Sequence, residues 1–174
     1  SLQDDNVSWD ISLSKTTAAG NQLYARAASG FRAQTIQDRL QDDPTVTTAD
    51  SETINSFEIG YKALWDRVRL NAAAFYYDYT DKQILGALED AVFGSLPALV
   101  NVPESSVRGI EFVATWMPIE GLTISPSVSF ADTEVEGTFR NFDAFFGGTN
   151  SGTKDFSGQD FPQAPELQAN LAIA

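Results

Sequence analysis

Side chains along much of this chain change character at every second position. In GIEFVATW (109–116), Ile110, Phe112, Ala114 and Trp116 share one face, opposite Gly109, Glu111, Val113 and Thr115. In LTISPSVSF (122–130), Leu122, Ile124, Val128 and Phe130 oppose Thr123, Ser125, Ser127 and Ser129. Successive strand side chains point to opposite faces, so two such runs joined by a short turn make a hairpin with one apolar face and one small, polar face. The same period recurs at Val7, Trp9, Ile11 and Leu13, at Phe57, Ile59, Tyr61 and Ala63, and at Leu167, Ala169, Leu171 and Ile173. The pattern predicts seven strands near 6–15, 22–32, 53–64, 67–81, 99–117, 121–132 and 165–174, and an all-β fold.

The connections alternate in length. Short turns fall at TTAAGN (16–21), WDR (65–67) and MPIEG (117–121), with long segments between them at 33–52, 82–98 and 133–164. An up-and-down barrel in an outer membrane has this pattern, with tight turns at one end and extended loops at the other. Trp65 and Trp116 both lie beside short turns, at the level where interfacial aromatic girdles sit. Each would also serve to close a soluble core, but the order of the loops favours lipid. The polar face is mostly Ser, Thr, Asn, Ala and Gly with scattered charges (Glu58, Lys62, Arg69, Arg108, Glu111), which suits a barrel lumen better than a water-exposed sheet. The expected fold is therefore an antiparallel up-and-down transmembrane β-barrel segment. Two places break the pattern. Pro126 cannot donate to a ladder, which predicts a bulge or local break. In FYYDY (75–79) at least one ring must face the lumen.

Composition removes several function classes. The net charge of -13 argues against nucleic acid, which needs a basic surface. The 174 residues include neither Cys nor His, so thiolate and most zinc sites, cysteine nucleophiles and the imidazole base are excluded. No apolar run reaches the roughly 18 residues of a membrane helix. The acidic start SLQDDNVSWD is not a signal peptide, as expected if one was removed or if the chain begins inside a larger protein. Adjacent loop acids such as Asp42-Asp43 do not make a glycosidase pair, and GTNSGT and GFRAQT precede no helix that would seat a phosphate. The chain reads as a non-enzyme without cofactor or metal.

Several blocks taken in order carry a resemblance. LYARAASGFRAQTIQDRL (23–40), ETINSFEIGYKAL (52–64) and RVRLNAAAFYYDYTDKQI (67–84) are followed by LVNVPESSVRGIEFVATWMPIEGLTISPSVSF (99–130) and FPQAPELQAN (161–170). This series resembles the C-terminal barrel of TonB-dependent outer-membrane receptors. The resemblance implies a barrel of about 22 strands with a plugged lumen, of which this chain holds about seven. It also implies active uptake of a scarce nutrient (siderophore, vitamin or oligosaccharide) across a bacterial outer membrane. Residues 1–174 would be part of the barrel, with the plug domain absent. Implied partners are the plug and remaining strands, the TonB energy-transducing complex, outer-membrane lipid and lipopolysaccharide, and the nutrient itself. A complete small outer-membrane barrel and a soluble all-β binding or adhesion module stay open as alternatives.

Ligand contacts are expected in the long loops and upper lumen. Phe139, Phe142, Phe145 and Phe146, with Arg140 and Asn141 among them, would stack on a sugar or an aromatic siderophore, or fold over their own cluster; Tyr79 faces the same region. Segments 33–52, 82–98 and 132–160 carry charges of -4, -1 and -4. Such an acidic rim is by default solvated, although acidic loops also hold Ca²⁺ or attract cations.

Overall fold

The computed structural model describes residues 4–37, 47–90, 94–142 and 153–174. Its strands are β1 (Trp9–Thr16), β2 (Gln22–Arg32), β3 (Thr35–Gln37), β4 (Thr47–Ala49), β5 (Glu52–Leu64) and β6 (Val68–Asp90), followed by β7 (Gly94–Trp116), β8 (Ile124–Val135), β9 (Arg140–Phe142), β10 (Thr153–Asp155) and β11 (Leu167–Ile173). Seven of them form one antiparallel meander, β1-β2-β5-β6-β7-β8-β11, and β3–β4 and β9–β10 are small separate hairpins. The seven strands expected from periodicity are those of the meander.

Register converts the alternation into two faces. Leu23, Tyr61, Ala72, Phe112, Val128 and Ala169 lie side by side across six strands. One residue further along β2, the neighbouring row is Tyr24, Gly60, Ala73, Glu111, Ser129 and Gln168. The first face is uncovered: Ile11, Leu13, Ile59, Ile110 and Leu171 are each at least 60% exposed. An apolar surface of that extent marks an interface with something outside the described chain. A sandwich built from this sheet would cover it.

The apolar band has limits along the strands. On β6 it runs from Val68 through Leu70, Ala72 and Ala74 to Tyr76. Eight steps of about 3.4 Å, tilted by about 40°, rise about 21 Å, close to the apolar belt of an outer-membrane barrel. Trp65 and Trp116 bound it at the short-turn end. At the other end Tyr76 stands beside Arg108, which pairs with Asp132 at 2.6 Å. Beyond that level the same face turns polar, with Asp78, Ser106 and Glu134 in one row.

The short turns are tied by their own backbones. Trp65 and Val68 exchange hydrogen bonds across Asp66-Arg67, and Arg67 donates to the Pro118 carbonyl of the next turn at 2.7 Å. Gly20 and Gly121, both with φ of 80°, take the left-handed positions that the other two turns require. Pro126 interrupts pairing with β7 only. The ladder stops after Val113↔Ser127 and resumes at Trp116↔Ile124 in the same register, so there is a local break and no bulge.

One expectation fails. Residues 82–98 are not a long loop: β6 and β7 continue as 23-residue strands paired as far as Asp90↔Gly94. This hairpin projects past the sheet, and the compact core of the chain forms against it. Val102, Val135 and Phe139 are buried there, with Ile84, Val100, Phe156 and Phe161 packed around them.

Candidate functional site at the loop end

The projecting hairpin begins at a kink. Asp81 has φ of 52°, opposite Pro103, which has no N–H to donate. Pairing resumes at Lys82↔Val102 without a change of register. The faces, however, exchange across the kink. Lys82 reaches back over the ring of Tyr79, and Val102 packs on Val135, both of which belong to the polar side of the sheet. The hairpin thus offers one face to the β3–β4 segment and the other to the β9–β10 segment.

On the first face an amide pair forms a clamp. Gln83 and Asn101 are ladder partners. Gln83 Nε2 donates to the carbonyls of Ala33 (2.9 Å) and Asp50 (2.8 Å), and its Oε1 accepts from Thr35 Oγ1 at 2.9 Å. Asn101 Oδ1 accepts from the Asp50 N–H at 2.8 Å, while its Nδ2 donates to the carbonyls of Asp50 and Asp81. Gln83 is buried, and this set satisfies its amide while tying down the loop backbone at Ala33 and Asp50.

On the second face lie aromatic rings with cations beside them, Lys82 over Tyr79 and Phe161 and Lys154 over Phe156. Phe139 and Phe156 are 6.0 Å apart between centroids. The Phe139 N–H donates to Ser157 Oγ at 3.2 Å, and the Phe161 N–H to Thr133 Oγ1 at 2.9 Å. Asp155 accepts from both the N–H and the hydroxyl of Ser157, and these bonds hold its carboxyl below the usual Asp value, with Arg140 adding to the effect. Lys82 Nζ sits 3.8 Å from the Tyr79 centroid and 4.2 Å from that of Phe161.

Below the kink the polar face carries its own network. Arg26 Nε donates to both oxygens of Asp10 at 3.1 Å. Tyr24 donates to Glu58 while Lys62 lies over its ring at 5.0 Å. Phe75 and Tyr77 stack at 5.0 Å on the same side, so with Tyr79 three of the FYYDY rings face the polar side.

The residues expected to meet a ligand are dispersed. Phe139 is in the core, not an exposed stacking platform. Arg140 is exposed and lies 3.9 Å from Asp155. Asn141 is buried, and its amide fills the space where Gly86 would otherwise carry a Cβ. Phe142 ends β9 with its side chain outside the described residues, as are Phe145 and Phe146 altogether. Tyr79 does line the loop end. Lys82, Gln83, Asn101 and Phe161 were not singled out by sequence reasoning, because their partners come from distant segments. Among the described residues no group of three acids gathers as a metal site.

Comparison with known proteins agrees with this architecture. A family model described as TonB dependent receptor-like, beta-barrel, matches residues 1–174. The structure is similar to the ferric yersiniabactin uptake receptor FyuA from Yersinia pestis, with a TM-score of 0.68 and 17% identity, over 94% of this chain and 22% of that one. It is also similar to the copper transporter OprC, with a TM-score of 0.59 and 14% identity, over 72% and 20% of the two chains. At these identities the likeness is one of fold, and the chain spans less than a quarter of either protein. With the family match running from end to end, an uncovered apolar face and an uninterrupted seven-strand meander have one explanation: the chain belongs to the β-barrel family of the TonB-dependent receptors.

Proposed function

We propose that this chain is one part of the barrel wall and loop canopy of an outer-membrane receptor that actively imports a scarce nutrient. The observation that carries the reading is the uncovered apolar belt, bounded by Trp65 and Trp116 at one end and by Tyr76 and the Arg108–Asp132 pair at the other. Lipid satisfies such a belt, and the two free sheet edges at β1 and β11 call for further strands to close them. The plug and those strands would come from the rest of the receptor, and TonB would supply the energy for opening. The polar face, with Asp10–Arg26 and Tyr24–Glu58–Lys62, would then meet the plug or the water of the lumen.

In this reading the loop end receives the nutrient: a siderophore, a vitamin or an oligosaccharide. Tyr79 and Arg140 are the accessible contacts among the described residues, and Phe142, Phe145 and Phe146 are proposed to share the role. Asn141 and Phe139 would act from behind, by fixing the loop.

The full-length receptor, expressed in a Gram-negative host lacking its own uptake systems, tests this. The expected result is a heat-modifiable band in the outer-membrane fraction and accumulation of one radiolabelled member of a panel (ferric siderophores, cobalamin, oligosaccharides) that stops when TonB is deleted. Recovery of the folded protein in the soluble fraction would overturn the reading, as would accumulation unaffected by loss of TonB.

A further inference from the structure

Among the described residues Lys82 is a cation held by rings and not by a counter-ion. Its ammonium lies between Tyr79 and Phe161, at 3.8 and 4.2 Å from their centroids. Among the described residues no carboxylate comes within ion-pair distance of it and no oxygen accepts a hydrogen bond from it. Glu52, whose charge reaches it, uses Oε2 to accept from the Gln83 N–H at 2.9 Å. Burial pushes the Lys82 pKa below that of an ordinary lysine, and Glu52 opposes the shift.

This arrangement is unusual for its surroundings. The segments at this end of the molecule carry -9 of the net charge of -13, so carboxylates to pair a lysine are plentiful nearby. A packing role at the same position would be met by Met or Leu, with no desolvation cost. Cation–π contacts give about 0.5–2 kcal/mol and leave the three N–H donors without an anionic acceptor. Both rings are partly exposed. The backbone fixes the geometry: Tyr79 precedes the kink at Asp81, Lys82 follows it, and Phe161 is anchored through its N–H to Thr133.

We propose that Lys82, Tyr79 and Phe161 form a subsite for an aromatic carboxylate, in which the ammonium, held by the two rings, pairs with the carboxylate and the ligand's ring rests against the exposed parts of Tyr79 and Phe161. The proposal rests on the uptake reading only in that the ligand arrives from the loop end. The acidic rim then contributes selectivity, since an anion is accepted beside the Lys82 ammonium and repelled by the surrounding carboxylates.

The test is binding to the purified full-length receptor in detergent at neutral pH, with benzoate as probe and benzamide as its neutral analogue, followed by saturation-transfer NMR. The wild type should bind benzoate saturably and at least about tenfold more tightly than benzamide, as expected for a charge-assisted contact. Lys82→Met should weaken benzoate by about tenfold or more and leave benzamide unchanged, while Lys82→Arg restores binding. Heat-modifiable migration of each variant reports that the barrel is folded. Equal binding of the two probes by the wild type overturns the subsite without recourse to any variant. So does unchanged benzoate affinity in Lys82→Met, which would leave the cation a packing element only. Neither measurement needs TonB or a membrane, so failure here leaves the uptake reading standing, and failure of TonB-dependent accumulation leaves this result intact.

Discussion

Gly60 and Gly109 sit on the polar face, and each lies beneath a ring from the neighbouring strand. Tyr24 is the ladder partner of Gly60 and covers it; Phe75 is the partner of Gly109 and covers that. Aromatic coverage of a strand glycine offsets the missing side chain and pins register. The two sites differ in what a methyl group would strike. At Gly60 it meets the outer ring atoms and hydroxyl of Tyr24, which can swing aside at the cost of the bond to Glu58. At Gly109 it also meets the Phe130 carbonyl, which is backbone and cannot. Gly109→Ala should therefore destabilise the receptor by about 1–3 kcal/mol and Gly60→Ala by less, read from urea unfolding in detergent. The reverse order would show that the rings do not cover these glycines. A second single-residue effect lies in the loop. The lowered pKa of Asp155 means the folded state holds its proton less tightly than the unfolded chain does. Its contribution is thus fully present above the ordinary value of 3.8 and is lost as pH falls through the lowered one. Amide protection at Phe139 and Ser157, corrected for intrinsic exchange, should fall in that acid window in the wild type and show no such step in Asp155→Asn. An unchanged step in the variant would assign it to another group.

At the scale of elements, the projecting β6–β7 hairpin organises its neighbours. Gln83 is the point where the β3–β4 segment attaches, since its side chain meets Ala33, Thr35 and Asp50 at once. Gln83→Leu keeps the bulk and removes every one of those bonds. Each hydrogen bond lost costs about 0.5–1.5 kcal/mol, and the cost falls on the loop and not on the sheet. Limited proteolysis of the folded receptor should then cut within residues 33–52 at least about tenfold faster, with no change in heat-modifiability. Uniform resistance in the variant would mean that the segment is held elsewhere. The same hairpin explains what sequence reading reached and what it missed. The seven strands were legible because each has one apolar and one polar face, which forces a period of two. ILGALED (84–90) and GSLPALV (94–100) show no such alternation. At residues 82–86 and 97–102 one face meets amide-bound loop backbone and the other an aromatic cluster, so both sides select mixed residues and the period vanishes there. The burial of Phe139 was hard to read for a related reason: it depends on Val102, far from it in sequence, as well as on nearby Val135, and nothing local distinguishes it from an exposed loop ring. The Pro126 break, by contrast, follows from covalent chemistry and was visible at once.

Across the whole molecule the question is what covers the apolar face, and depth supplies the answer. A sheet packed on protein would penalise a charge wherever the contact is tight, with no smooth dependence on height. Lipid imposes a profile: about 2–4 kcal/mol for Arg at the bilayer midplane, falling to about 0–1 near the interfaces. Ile59 lies inside the band, in the row of Ala74, and Tyr76 is at its rim beside Arg108. Val113 points to the opposite face, among Lys62, Asn71 and Ser127. Folding of the full-length receptor into phosphatidylcholine vesicles, followed by guanidinium titration, should rank the three substitutions accordingly. Ile59→Arg should cost about 2–4 kcal/mol and Tyr76→Arg about 1 kcal/mol or less, while Val113→Arg should cost little because the lumen tolerates charge. The contrast between Ile59 and Val113 tests which face is which. The contrast between Ile59 and Tyr76 tests lipid itself, because only a bilayer grades the penalty with distance from its centre. Equal costs at Ile59 and Tyr76 would mean that the belt packs against protein, and the barrel wall assigned to these seven strands would have to be drawn differently.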